Sequence, residues 1–267
     1  MAKQDAVAND ISTPGSPCYF LHFGLIVTGE GEREHLPKIF KSLAATKVCN
    51  FEVIRFVGQR GPITSPKRKL KMVGEGKIIP DKDTQEIGLP ARKYLSADKC
   101  RFVILMDDVE HDRRDQIQQL FDRYKQAFNT ILRSSDQQHR ASVHFLANML
   151  EAYYFADANA INIALALDPP LEDFDGDVED IPHPKGELKK IYPGFREVHD
   201  GGQILDLIDI EHVLSKPNTC ASLRTLFAWC AKVIEQYSAY EDLSLTHKYQ
   251  LQDGILNEVT RLQLDDI

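Results

Sequence analysis

Arg101-Phe-Val-Ile-Leu-Met-Asp-Asp-Val-Glu-His-Asp112 decides how the rest of this 267-residue chain is read. Five apolar residues, Phe102 to Met106, run unbroken, and four acids, Asp107, Asp108, Glu110 and Asp112, follow within six positions. A short, partly β-branched apolar run fits a buried strand of a parallel sheet. The acids then fall at the strand's carboxyl end, the edge where open α/β sheets bind ligands. Carboxylates crowded there repel one another unless a cation or a proton intervenes. Oxygen-rich clusters of this kind suit Mg²⁺ or Mn²⁺. The competing reading is an acidic turn, with Asp107 or Asp108 capping the next helix.

Working backwards, Tyr19 to Val27 is a strand candidate, followed by Thr28-Gly-Glu-Gly-Glu-Arg-Glu34 and a helical repeat at Leu36, Ile39, Phe40 and Leu43. This is strand, glycine turn, helix, and it places Glu30 at the same sheet edge as Asp107 and Asp108. Glu34, four residues on, reaches the same side of the helix. The bland alternative is compensation of the helix dipole by first-turn acids. A Rossmann fingerprint would need a third glycine, and acids in the turn would repel a pyrophosphate, so nucleotide binding at this turn is discarded. Phe51 to Val57 is a second strand. Residues 58–80 read as a long loop in which Arg60, Lys67, Arg68, Lys69, Lys71 and Lys77 face a single acid, Glu75. Phosphate contacts are the functional reading of that loop, and a solvated surface is the other.

Working forwards, residues 83–96 read as a short helix and 113–133 as a long amphipathic one, with its stripe at Ile117, Leu120, Phe121, Tyr124, Phe128 and Leu132. Val143 to Ala147 fits a strand and Met149 onward a helix, which puts Glu151 at another strand's carboxyl end among Leu150, Ala152 and Tyr153. A carboxylate so surrounded has a partner or a job. His144 reads as a satisfied core histidine. Residues 168–184 read as an acidic, solvated linker, since Asp173, Asp175, Gly176 and Asp177 lack the spacing of a calcium loop. From 186 onward the pattern is helical. The expected organisation is a flexible tail over 1–17, a mostly parallel α/β domain over 18–167, and a helical region over 168–267 packing on it.

Composition narrows the class. The net charge of −8 argues against bulk coating of nucleic acid but leaves room for a local basic groove. No apolar run is long enough to span a bilayer, and the polar start lacks a signal peptide's apolar core. Five scattered cysteines without a Cys-x-x-Cys pair read as reduced, mostly buried thiols of a cytoplasmic protein, not a zinc site.

The turn at Glu30-Gly31-x-x-Glu34 and the later acid pair resemble the two signature motifs of TOPRIM domains, found in topoisomerases, primases and OLD-type nucleases. Glu151-Ala-Tyr-Tyr-Phe-Ala-Asp157, with His183-Pro184-Lys185 and Ile208-Asp209, resembles a TOPRIM-like bacterial group catalogued as a domain of unknown function. Members of that group often sit beside an ABC-like or OLD-like ATPase gene in defence loci. The resemblance covers roughly residues 20–235. It implies a TOPRIM-like fold and a Mg²⁺- or Mn²⁺-dependent nuclease acting on DNA or RNA, with an ATPase as partner. Glu30 would be the general base or a metal-linked group. Asp108 and Glu110 would stand for the second motif's Asp-x-Asp, with Asp107 as an alternative register. Glu34 and Glu151 would complete the metal shell, and Lys185 would stabilise charge on the reacting phosphate. The alternative function is a non-catalytic subunit that docks on an ATPase.

Overall fold

In the computed structural model the central run becomes a nine-residue strand, Arg101–Val109. The structure describes residues 17–60, 71–73, 77–79 and 81–267. Its strands are β1 (Leu21–Val27), β2 (Cys49–Phe56), β3 (Lys71–Val73), β4 (Lys77–Ile79), β5 (Arg101–Val109) and β6 (Ala141–Ala147). β2, β1, β5 and β6 form one sheet in that order, every pair parallel. The four apolar runs expected to be parallel neighbours are therefore neighbours, in an α/β fold with helices following at the carboxyl-terminal end. The tail over 1–16 lies outside the described residues.

β1, β5 and β6 are buried on both faces while the edge strand β2 is partly exposed, and the period-two geometry of a strand sorts residues between two cores. Phe102, Ile104 and Met106 of β5 join Leu21, Phe23, Leu25 and Val27 of β1 in one core. Val103 and Leu105 join Ile26 in the other, under the amphipathic helix Ile117–Ile131 through Leu120, Tyr124 and Phe128. The first core is roofed by the helix Ala221–Tyr237. Trp229 of that helix meets Phe23 and Phe102 edge-on at 6.2 and 6.4 Å, and Phe51 stacks between Phe23 and Phe40 at 4.6 and 4.1 Å. The helical region after residue 168 thus shares its core with the sheet.

Several local expectations are corrected. Residues 58–80 are not all loop, because β3 and β4 pair antiparallel, with Lys71 opposite Ile79. The segment after β6 is a 3₁₀ helix, Leu150–Ala156, and the α-helix begins only at Ala158, capped by Asp157. The linker reading of 168–184 misses its anchors. Asp173 accepts hydrogen bonds from the Ala158 N–H, His212 and Lys216, and Glu179 is buried with Tyr153 and Ser222 as donors. His144 is buried against Trp229 as core, but neither ring nitrogen has a partner among the described residues. Burial pushes its pKa down to about 3, so the ring is neutral. Cys18 and Cys100 form a disulfide, against the expectation of reduced thiols, while Cys49, Cys220 and Cys230 are free and buried. Cys18 sits where the backbone enters the sheet, bonded to the end of the helix Ala221–Tyr237 through Tyr237 and Ala239.

At the far edge of β6, the Gln263 side chain is buried. Its Nε2 donates to the Val143 carbonyl at 2.7 Å and its Oε1 accepts from the Val143 N–H at 2.9 Å.

Candidate functional site

The chain leaves β1 for β2 on one side and returns to β5 on the other. The carboxyl ends of β1 and β5 therefore flank the topological switch point, where such sheets leave a crevice. Asp107 and Asp108 reach this point together and turn to opposite faces. Asp107 accepts from the Thr28 hydroxyl at 2.6 Å and the Tyr124 hydroxyl at 2.7 Å, with Arg113 at 3.4 Å. Burial raises its pKa, and those donors and the Arg113 charge oppose the rise. Asp107 is a clasp between β1, β5 and the helix Ile117–Ile131. It is not a free ligand, which corrects its assignment to the metal set.

Asp108 faces the other way and is buried, and its Oδ1 has no hydrogen-bond partner among the described residues. Burial pushes its pKa well up, and Glu32, Glu151, Asp107 and Glu110 add like-charge repulsion. Glu151 is also buried, with its pKa pushed up to about 7 by burial, while the Lys185 ammonium holds the rise back. The backbone reaches Glu151 through two consecutive residues of positive φ, Asn148 at 55° and Met149 at 77°. A non-glycine residue in Met149's conformation is strained, a condition that collects at functional sites. Asn148 is fixed there by donating its N–H to the Val109 carbonyl and its Nδ2 to the Glu179 carbonyl.

Of the acids in the turn after β1, the buried one is Glu32 and not Glu30. The helix Glu30–His35 starts at Glu30, whose side chain is 59% exposed and pairs with Arg33 at 2.7 Å. Glu34 is likewise partly exposed, 3.5 Å from Arg33. Glu32, two residues on and so about 200° further around the helix, is buried, and its pKa is raised by burial and by Glu197 and Asp107. Gly29 makes the room: a Cβ there would stand 1.7 Å from a Glu32 carboxylate oxygen. Glu197 arrives on the helix Glu197–Leu207, which approaches closely because Gly201 and Gly202 face Tyr154 and His35 without side chains of their own. Lys185 binds Glu197 at 2.6 Å, and the charges of Glu197, Glu151 and Asp108 raise its pKa against the effect of burial. The result is an acidic cluster in which Glu32, Asp108 and Glu151 are buried and Glu197, 44% exposed, holds Lys185 at its edge.

Glu110 is exposed, on the rim of a cleft of about 530 Å³ that opens beside Lys185. The first turn of the helix Pro184–Ile191 forms one wall, and no side chain caps that helix. The basic-loop reading is corrected at Arg60. It is buried in ion pairs with Asp83 at 2.9 Å and with Glu86, and so is not presented to a phosphate backbone. Lys67, Arg68 and Lys69 lie outside the described residues. Lys71 and Lys77 are described only as backbone of β3 and β4.

The donors at the switch point are all carboxylate oxygens, the set that Mg²⁺ and Mn²⁺ prefer, and the orphaned Asp108 Oδ1 fits a missing cation. No three acids there have ligand atoms mutually within 4.8 Å; among the described residues only Asp157, Asp173 and His212 do. That second group already holds a cation, because Lys216 lies 2.5 Å from Asp173, whose pKa its neighbours pull down to about 2. Sequence reasoning found Asp108, Glu151 and Lys185. It missed Glu32, whose signal lay in the turn but depended on helix phase, and Glu197, which carries no local signal.

No helix among the described residues is long and apolar enough to cross a membrane. No curated protein matches the chain, and no solved structure does. A family model matches residues 27–229, from the end of β1 to Trp229, and takes in the whole acidic cluster. By that match the chain belongs to DUF4276, a family described as a domain of unknown function.

Proposed function

We propose that this protein is a Mg²⁺- or Mn²⁺-dependent nuclease of a TOPRIM-like type, the effector of an ATPase-associated anti-phage defence system. The observation that carries the reading is the buried Asp108 Oδ1, without a hydrogen-bond partner among the described residues, beside the buried Glu32 and Glu151 at the switch point. A buried carboxylate oxygen without a donor, set beside two further buried acids, costs stability, and a bound cation would offset that cost. The metal, when bound, would supply an activated water and neutralise the leaving oxygen of a phosphodiester. Glu32, Asp108 and Glu151 would hold it. Lys185, oriented by Glu197, sets a positive charge beside the acids, where it opposes charge building on phosphoryl oxygens. Glu151, with a pKa near neutrality, is suited to hold or release a proton at its carboxylate. The resemblance of the turn at 28–34 and of the acid pair to TOPRIM motifs supports the same chemistry, with Glu32 replacing Glu30.

The test is metal-dependent cleavage of labelled DNA and RNA by purified protein. Activity present with Mn²⁺ or Mg²⁺ and abolished by Asp108→Asn supports the reading. Unchanged cleavage by that variant removes it. A second reading, a non-catalytic subunit docked on an ATPase, draws on the spacing of the switch-point acids, which are not gathered into a tight triad. Absence of millimolar metal binding in a calorimetric titration would favour it.

A further inference from the structure

The cleft beside the acidic cluster is built from unlike parts. Met149 and Pro182 give it apolar walls, His111 and His183 contribute exposed imidazoles, and Lys185 and Lys189 stand four residues apart on one face of the helix Pro184–Ile191. Lys185 is committed to Glu197, but Lys189 is exposed, and no ion pair involves it among the described residues. The helix begins with Pro184, which has no N–H, and the Glu187 N–H goes to the His183 carbonyl, so with no side-chain cap among the described residues the Lys185 and Gly186 N–H groups are the first-turn donors left without intrahelical partners. Those groups and Lys189 suit an anion. Imidazole rings, a thioether and a proline ring suit the flat face of a base. Glu110 is the acid that lines the cleft, and its charge repels a phosphate while Lys189 attracts it.

We propose that this cleft is a nucleotide subsite that takes one unpaired nucleotide, its phosphate at Lys189 and the helix start, its base against His183 and Met149. The volume of about 530 Å³ is that of a small-molecule site and holds a mononucleotide. A duplex is far too wide to enter it. The substrate is therefore single-stranded where it meets the acidic cluster, or is opened there. This specificity rests on the nuclease reading above, but binding in the cleft needs no metal and is measured without it.

The experiment is calorimetric or NMR titration of the full chain with adenosine 5′-monophosphate in chelator, with inorganic phosphate as the comparison. The wild-type protein binds the nucleotide more tightly than phosphate. Lys189→Ala weakens both ligands. His183→Ala weakens the nucleotide by about tenfold, the scale of one lost base stack, and leaves phosphate unchanged. A single-stranded oligonucleotide outcompetes its duplex, and His183→Ala narrows that margin. Equal binding of nucleotide and phosphate, or nucleotide binding indifferent to both substitutions, overturns the proposal. His183 and Lys189 are exposed, so their loss leaves the fold intact, which thermal melts of both variants verify. Nucleotide binding that survives in a protein showing no metal-dependent cleavage sinks the nuclease reading and leaves the subsite standing; cleavage without nucleotide binding does the reverse.

Discussion

Asp107 and Asp108 are adjacent in sequence and opposite in circumstance: Asp107 accepts from Thr28 and Tyr124 at 2.6 and 2.7 Å, while Asp108 Oδ1 is buried with no partner among the described residues. Strand alternation sends one into each face of the sheet. The same substitution at the two positions should therefore have opposite effects. Asp107→Asn leaves Tyr124 and Thr28 competing for one carbonyl oxygen and should cost about 2 kcal/mol of stability. Asp108→Asn removes an uncompensated charge and should leave the metal-free protein equally stable or more stable by about 1 kcal/mol. Urea unfolding of both variants in chelator measures the difference; equal destabilisation would show that both acids are structural.

Gly29 and Glu32 should be coupled. A methyl at 29 falls within 1.7 Å of the Glu32 carboxylate. Gly29→Ala should push that carboxylate out of the cluster, costing about 1–3 kcal/mol as overpacking does and lowering metal affinity. In a Glu32→Ala background the same change should cost much less. A double-mutant cycle reads this directly, and additivity would disprove the contact. Glu30→Gln, by contrast, should change neither stability nor metal binding.

Glu151 and Glu179 should make the metal-free protein lose stability as pH rises. Both pKa values are raised by burial from the ordinary 4.5 to about 7. A carboxyl with a raised folded-state value contributes stability that is complete below the unfolded value and is lost as pH climbs through the folded one. The window is thus from about 4.5 to about 7. Glu151→Gln should flatten part of that slope and stabilise the metal-free protein at pH 8 by on the order of 1–3 kcal/mol. Chemical denaturation across pH 4 to 8 checks it, and an unchanged slope would place the Glu151 charge in a well-solvated site.

Arg60 should behave as a structural residue. Its guanidinium is buried against Asp83 and Glu86, and Asp83 also binds Arg123 at 2.7 Å. Removing one partner from such a network typically costs about 3–5 kcal/mol. Arg60→Ala should destabilise the fold to that extent, whereas loss of a phosphate contact alone would leave the melting temperature untouched and lower the salt dependence of nucleic-acid binding.

The sheet was legible because its central strand is buried on both faces, which writes Phe102–Met106 as an unbroken apolar run, and its neighbours carry shorter apolar stretches such as Leu25–Val27. Asp108 and Glu151 were legible because each lies within a few residues of the carboxyl end of a recognisable strand stretch. Glu32 was not, because choosing among Glu30, Glu32 and Glu34 requires the residue at which the helix starts, and a shift of two positions turns a side chain from crevice to solvent. Arg60 looked like part of a basic loop because its partners, Asp83 and Glu86, lie more than twenty residues away. Glu197 enters the cluster only through the approach of Gly201 and Gly202 to Tyr154 and His35, a long-range packing relationship with no local pattern. The Cys18–Cys100 bond, spanning 82 residues, is of the same kind.

Gln263 gives the sheet a direction. By donating to and accepting from the backbone of Val143, its amide reproduces the pair of bonds that another strand would make at that position. An open strand edge is a template for other chains, and here a single side chain occupies the template on the β6 flank. A strand added by another chain would meet this side chain on the β6 flank, whereas Gln263 has no part in the opposite flank, where β2, Cys49–Phe56, ends the order β2-β1-β5-β6.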